Sequence, residues 1–137
     1  MKALRNCLFA ALPFVALSGC ANFEQTMQEI QKATAPVAID QSLAEICRVT
    51  KENKVRANSL YRGKTFSTNG EVAMINQGLE AYRVVLSVGD VDIHAESTNT
   101  SMVNALSVGK KSNVSGVVTL VDYDYKNCHI SLKNATF

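Results

Sequence analysis

The order of extended and helical patterns after Gly63 constrains the fold of this chain more than any other feature. Alternating apolar and polar residues between turn residues predict strands, whereas Met102, Val103 and Leu106 recur at helical spacing. The predicted strands cover residues 64–76, 81–88, 91–96, 113–121 and 127–136, and the helix lies within 98–108. Three strands, a helix and two strands predict a mainly β domain with a short helix between strands 3 and 4.

Two of the predicted strands begin with the same local pattern. Residues 63–72 and 109–118 share the form Gly-Lys, five residues, Gly, any residue, Val. A glycine inside a strand marks a bend, a bulge or a close approach of two backbones. Gly70 and Gly116 therefore indicate two strands that each bend to serve two sheets, as a small closed barrel requires.

A helix is predicted to precede the strands, over about residues 41–60. Its start is marked by Ser42 and Glu45, which have the spacing of a capping box. The apolar positions are unevenly spaced around residues 51–54, so a break in the middle of the helix is predicted.

Several short motifs, taken in their order along the chain, resemble those of a known family. They are Tyr61-Arg62-Gly63-Lys64, Gly70-Glu71-Val72, Val108-Gly109-Lys110, Gly116-Val117-Val118 and Cys128-His129-Ile130-Ser131-Leu132. Over about residues 45–137 the chain is similar to small OB-fold proteins of the tRNA-anticodon-like family. The resemblance implies a five-stranded Greek-key barrel with an N-terminal helix and a short helix between strands 3 and 4. Many such proteins are envelope lipoproteins, so nucleic-acid binding is not implied by the fold.

The first nineteen residues have the pattern of a secretory signal. Lys2 and Arg5 precede an apolar run from Leu8 to Leu17, which is about half the length of a membrane-spanning helix. The signal ends in Leu17-Ser18-Gly19-Cys20, which resembles the lipobox of bacterial lipoproteins. The resemblance implies cleavage before Cys20 and covalent attachment of diacylglyceryl and acyl chains to that cysteine. No other cofactor is expected.

Three segments are therefore predicted: a signal peptide at 1–19, a lipidated N terminus and tether at 20–39, and an OB-fold domain with its leading helix at 40–137. Phe23, Met27 and Ile30 recur at helical spacing, so a short amphipathic helix is the alternative to a flexible tether. Ala21 follows the lipidated cysteine, and by resemblance to enterobacterial lipoproteins it implies an outer-membrane location, facing the periplasm.

Two cysteines, Cys47 and Cys128, remain after Cys7 leaves with the signal and Cys20 is lipidated. An oxidising periplasm favours a disulfide between them, with two separately buried thiols as the alternative.

The segment from Asp90 to Glu96 alternates strictly between polar and apolar residues. It places Asp90, Asp92 and His94 on one face of a strand, together with Glu96. Oxygen and imidazole ligands on one face are typical of a divalent cation site, but ligands two residues apart on a strand lie about 6–7 Å from each other. A metal site here would need a ligand from another segment. The alternative is the solvated face of a half-buried strand.

A second candidate site is the predicted turn between the last two strands, residues 121–127. OB folds bind ligands at this loop, so Asp122, Tyr123, Asp124 and Tyr125 are candidate ligand-binding residues for a sugar or peptide. The alternative is a hairpin turn whose tyrosines cover the end of the barrel.

Charge and motifs narrow the functional classes. The sequence has 14 basic and 12 acidic residues, and because Lys2 and Arg5 leave with the signal, the mature chain is expected to be neutral. A polyanion partner is therefore disfavoured, and single-stranded nucleic-acid binding is the least favoured function. Phosphate-binding glycine loops and nucleophile elbows are absent from the sequence. We therefore expect a non-enzymatic binding module for an envelope protein, peptide or glycan, with cation binding through Asp90, Asp92 and His94 as the alternative.

Overall fold

Five strands account for nearly half of the residues that the computed structural model describes, which are Met27, Gln28, Gln31, Lys32 and residues 34–137. The predicted signal peptide, Cys20 and most of the predicted tether lie outside these residues. In chain order the elements are α1 (Leu43–Glu52), α2 (Lys54–Tyr61), β1 (Thr65–Gln77), β2 (Tyr82–Val88), β3 (Val91–Ser97), α3 (Thr100–Asn104), β4 (Lys111–Asp124) and β5 (Asn127–Thr136).

The strands close into one barrel in the order β1-β2-β3-β5-β4. The β3–β5 pair is parallel, and the other four pairs are antiparallel. The parallel pair needs a crossover, which passes through α3 and β4. This topology, with α1 and α2 before the barrel and α3 between β3 and β4, confirms the predicted OB-like fold.

The two strand glycines lie where backbones approach closely. β1 pairs with β4 up to Glu71 and with β2 from Glu71 onward, so Gly70 lies at the change of partner. A Cβ atom on Gly70 would be 2.8 Å from Val88 Cγ2, and one on Gly116 would be 3.0 Å from Leu132 Cβ. The predicted close approaches are therefore present at both positions.

The leading helix is interrupted at Asn53, within the predicted break. Asn53 ends α1 and also caps α2, because its Oδ1 accepts a hydrogen bond of 2.9 Å from the Arg56 amide. Ser42 caps α1 through the Glu45 amide, at 3.3 Å. Two residues of α1, Ile46 and Val49, face the barrel and are buried. The interruption lets α1 and α2 bury separate faces against the same barrel.

The predicted disulfide between Cys47 and Cys128 is confirmed. It joins α1 to the start of β5, and the two Cα atoms are 5.7 Å apart. The bridge fixes the position of the helix against the end of the barrel, next to His129.

The barrel interior is filled by alternate residues of every strand, as the period of a strand requires. Its largest fully buried members are Val72, Val84, Leu86, Ile93, Val114, Val118, Val121, Ile130 and Leu132. Within the described part of the chain, no helix is long and apolar enough to cross a membrane.

The β4–β5 hairpin is longer than the sequence predicts. β4 continues to Asp124, so the turn consists of Tyr125 and Lys126 alone. Aspartate and asparagine favour turns locally, but pairing of Asp122 with His129 and of Asp124 with Asn127 extends the ladder through them. Three of the four predicted turn residues of the candidate ligand site therefore belong to a strand.

Candidate functional site

The outward side chains of the barrel form rows that cross neighbouring strands. We call two adjacent rows on β1, β2, β3, β5 and β4 the outer face. One row contains Glu71, Ser87, Asp92, His129 and Asp122, and the other contains Met74, Val85, His94, Ser131 and Leu120. Both histidines of the sequence are therefore on this face, in adjacent rows.

Three potential ligands converge at the junction of β3 and β5. Asp92 is the direct partner of His129 across the parallel pair, and His94 is two residues further along β3. One donor atom from each of Asp92, His94 and His129 lies within 4.8 Å of the other two. The two imidazole centroids are 5.6 Å apart. All three side chains are half-buried on strands of a closed barrel, so their backbone positions are fixed.

A fourth residue holds the His129 ring in place. His129 Nε2 is 2.7 Å from Asp124 Oδ1, while Nδ1 of the same ring is on the side of Asp92, with 3.9 Å to its Oδ2. Ser87 donates a hydrogen bond of 3.3 Å to the other oxygen of Asp92. Because Nε2 is engaged by Asp124, Nδ1 of His129 is the nitrogen that faces the cluster.

The electrostatic environment of His94 disfavours its protonated form. Partial burial lowers the pKa of His94, and the neighbouring His129 and Arg83 act in the same direction, whereas Asp92 opposes them. His94 therefore tends toward the neutral imidazole, the form that binds metal ions.

The structure separates the residues of the strand site that the sequence predicts. Asp92 and His94 are in the cluster, as half-buried neighbours. Asp90 is exposed in the turn between β2 and β3 and is not in this group, and Glu96 forms an ion pair of 3.3 Å with Arg83. The predicted metal ligands Asp90, Asp92 and His94 are thus not brought together as a set.

The predicted turn site is divided between two sides of β4. Asp122 points outward to Lys54 at 2.6 Å, and this contact and the Tyr123 amide lower the pKa of Asp122. Tyr123 lies on the side of α1, where the Lys51 ammonium is 5.5 Å from its ring centroid. Tyr125 is fully exposed at the tip of the turn. Of the four predicted residues, Tyr125 is the one whose side chain makes no described contact, while Asp124 contacts the histidine cluster.

Sequence reasoning missed His129 as a site residue. Its neighbour Cys128 points inward and is buried, so His129 must point outward. The signal that identifies it is the parallel pairing of β3 with β5, which the OB topology implies. Register across that pair places a residue of β5 beside Asp92, and this supplies the ligand from another segment that the strand site requires.

Two adjoining grooves flank the cluster. One, of about 490 Å³, is lined by Arg62, Arg83, His94 and Glu96 together with residues of β4 and β5. The other, of about 520 Å³, runs between α2 and β4. Arg62 and Leu120 line both grooves, so together they form a continuous open surface.

Comparison with solved structures identifies a protein of similar fold. The chain is similar to a protein of Klebsiella pneumoniae subsp. pneumoniae that is provisionally described as a nucleic acid-binding lipoprotein, with a TM-score of 0.55 and 23% identity over 79% of this chain and 95% of that one. Aspartyl-tRNA synthetase of Entamoeba histolytica aligns with 72% of this chain and 21% of its own, at 11% identity and a TM-score of 0.45, which supports no further conclusion. The first similarity supports the OB-like fold.

No protein-family model matches the sequence. No curated protein matches it either. Membership of the tRNA-anticodon-like family therefore stays a prediction.

Proposed function

We propose that this chain is a lipid-anchored protein of the bacterial envelope and acts as a non-enzymatic binding module for a polypeptide segment of another envelope protein. The lipobox ending at Cys20 supports the anchor, because two or three acyl chains on one cysteine hold a protein stably on a membrane. Ala21 favours the outer membrane, with the barrel in the periplasm. The OB barrel supports a binding role, since this fold presents one face to its ligands.

The continuous surface formed by the two grooves is the observation that carries this proposal. Apolar side chains lie along it, with Val55 78% and Leu120 46% exposed, between cations and anions such as Arg62 and Glu96. Apolar residues surrounded by a polar rim are typical of protein–protein contacts. The loops at its edges are short, and the β4–β5 turn has only two residues, so the surface stays open and suits an extended segment.

Nucleic acid fits this surface less well. Asp92, Asp122 and Asp124 lie beside the grooves and would repel phosphate groups. In the described part of the chain, the two rows of the outer face contain no phenylalanine, tyrosine or tryptophan on which bases could stack. The polypeptide partner is therefore favoured over a single strand of DNA or RNA.

Photo-crosslinking in intact cells tests the partner. A photoreactive amino acid at Leu120, which lines both grooves, is expected to capture a protein. The same group at Asn69 is the matched control, because Asn69 is exposed on β1 and lines neither groove. Arg62→Glu should reduce the yield from Leu120 because it reverses a charge in both grooves.

Three results would contradict the polypeptide version of the proposal. They are equal yields from Leu120 and Asn69, an adduct that glycan hydrolases remove and proteases do not, and an adduct that nuclease removes.

Fractionation of cells tests the anchor separately. Cys20→Ser is expected to move the protein from the outer membrane to a soluble or uncleaved form, because it removes the acceptor thiol. An unchanged membrane fraction would show that the protein is held there without lipid on Cys20.

A further inference from the structure

The two histidines of this chain are far apart in the sequence but adjacent in the fold. The sequence contains no others, and the rings of His94 and His129 lie 5.6 Å apart on the outer face. Asp92 completes a group of one carboxylate and two imidazoles. This grouping does not depend on whether the outer face binds a partner.

We propose that Asp92, His94 and His129 form a binding site for one divalent transition-metal ion of the zinc class, with Asp124 as a positioning residue. Zinc accepts imidazole nitrogen and carboxylate oxygen at about 2.0–2.2 Å, which places ligand atoms roughly 3.4 Å from one another in a tetrahedral site. The three donor atoms are already within 4.8 Å of one another. Side-chain rotations that move these atoms by about an ångström would therefore bring them to a common ion.

The arrangement around His129 is the one that metal-bound histidines use. One ring nitrogen faces the other ligands, while the opposite nitrogen is 2.7 Å from the Asp124 carboxylate. A carboxylate in this place fixes the tautomer and the orientation of the ring and makes the free nitrogen a better ligand. Nε2–H of His129 donates to Asp124, and Nδ1 is left to bind the ion.

The ligand types select the metal. Two imidazoles favour zinc, copper or nickel, whereas calcium prefers a shell of six to eight oxygens that this group does not supply. Zinc is therefore the probe for the site, and calcium is its control.

The experiment is calorimetry of the full chain in detergent, purified without a histidine tag so that His94 and His129 are the only imidazoles present. One zinc ion per chain is expected to bind, and calcium is expected to give no comparable heat. His94→Gln and His129→Gln should each abolish the zinc signal. Asp90→Asn is the matched control, because this exposed acid lies just before β3 and outside the cluster. The zinc affinity of the Asp90→Asn variant should equal that of the unmodified chain.

A second readout separates positioning by Asp124 from a structural role. Asp124→Asn should weaken zinc binding by about 10–100-fold, as loss of an outer-shell carboxylate does. Long-range ¹H–¹⁵N spectra of the zinc-bound chain should show His129 coordinated through Nδ1, and Asp124→Asn should change the tautomer of this ring without zinc. Far-UV circular dichroism confirms that each variant keeps the barrel.

Several outcomes would overturn the proposal. Zinc binding that survives in His94→Gln and His129→Gln would assign the ion elsewhere. Calcium binding as strong as zinc binding would reduce the cluster to a surface that attracts cations. Absence of any zinc heat from the folded chain would remove the site altogether.

Discussion

The barrel has two polar surfaces that differ in chemistry. Where β1 pairs with β4, short neutral side chains satisfy one another: Ser67 donates to Ser115 at 2.8 Å, and Asn69 donates to Asn113 at 2.9 Å. We call this surface, residues 65–70 of β1 and 112–117 of β4, the neutral face. On the outer face the polar residues include the acids Glu71, Asp92 and Asp122 and both histidines of the chain.

This contrast distinguishes a solvated strand surface from a candidate site. Solubility alone needs only side chains that hydrogen-bond to one another or to water, and the neutral face meets that need with cross-strand pairs. The outer face places titratable groups close together and half-buried, which costs desolvation that solubility does not require. Each prediction below concerns a position on or beside one of the two faces.

The largest effect is expected from removing the disulfide that lies beside the outer face. The Cys47–Cys128 bridge closes a loop of 81 residues, and its loss in Cys47→Ser with Cys128→Ser should lower the free energy of unfolding by about 4 kcal/mol. Urea unfolding of both proteins measures this difference. The rate of amide hydrogen exchange should increase most in α1 and at the start of β5, and less on the neutral face. Uniform acceleration would show that the bridge stabilises the barrel as a whole.

Adding a methyl group next to the neutral face should have the second largest effect. In Gly70→Ala the new Cβ would meet Val88 Cγ2 at 2.8 Å and the Ser87 carbonyl oxygen at 3.0 Å, so neighbouring backbone must move. Such overpacking costs about 1–3 kcal/mol. Asn69→Ala is the matched control, since Asn69 is exposed on the same strand. Thermal unfolding measures both, and equal melting temperatures for the two variants would contradict the role given to Gly70.

A smaller loss is expected where α2 meets the outer face. The Asn58 side chain donates to the Val121 carbonyl at 2.8 Å and accepts from the Val121 amide at 3.1 Å, so it ties α2 to β4 beside the grooves. Asn58→Ala leaves both backbone groups without this partner and should cost about 1–2 kcal/mol. Ser59→Ala, one residue further along α2 and exposed, should change the stability little. Chemical denaturation measures the free energy of unfolding of both variants. Equal losses would show that the two hydrogen bonds between Asn58 and Val121 do not stabilise the fold.

Much of this fold is predictable from local pattern. The element order, the break near Asn53 and the glycines of β1 and β4 all follow from residues that are neighbours in the sequence. The Cys47–Cys128 pair is predicted by counting, because Cys20, the other cysteine of the predicted mature chain, is expected to carry lipid.

The candidate site is less predictable because it depends on pairing between distant strands. Alternation places Asp92 and His94 on one face, but only the register of β3 against β5 brings His129 beside them. The length of β4 is not predictable from the sequence for a similar reason. Asp122 and Asp124 favour a turn locally, but closure of the barrel pairs them with β5 and so extends the strand. Contacts that form only when the barrel closes cannot be recognised from the periodicity of either strand alone.

The smallest effect expected is a pH dependence confined to the outer face. His94 is packed against Arg83 of β2 and His129 of β5, with Asp92 on its own strand, and its pKa is lowered in the folded chain. Near pH 6 the unfolded chain therefore binds more protons at this residue than the folded chain does. The contribution of neutral His94 to the free energy of unfolding is therefore complete above the pKa of about 6.5 that histidine has in the unfolded chain. It is lost as the pH falls through the lower pKa that His94 has in the folded chain. Urea unfolding with chelator present should show that the free energy of unfolding declines from pH 8 to pH 5. His94→Gln should make this decline smaller, and Asn69→Ala on the neutral face should leave it unchanged. A decline of equal size in His94→Gln would assign the pH dependence to other groups.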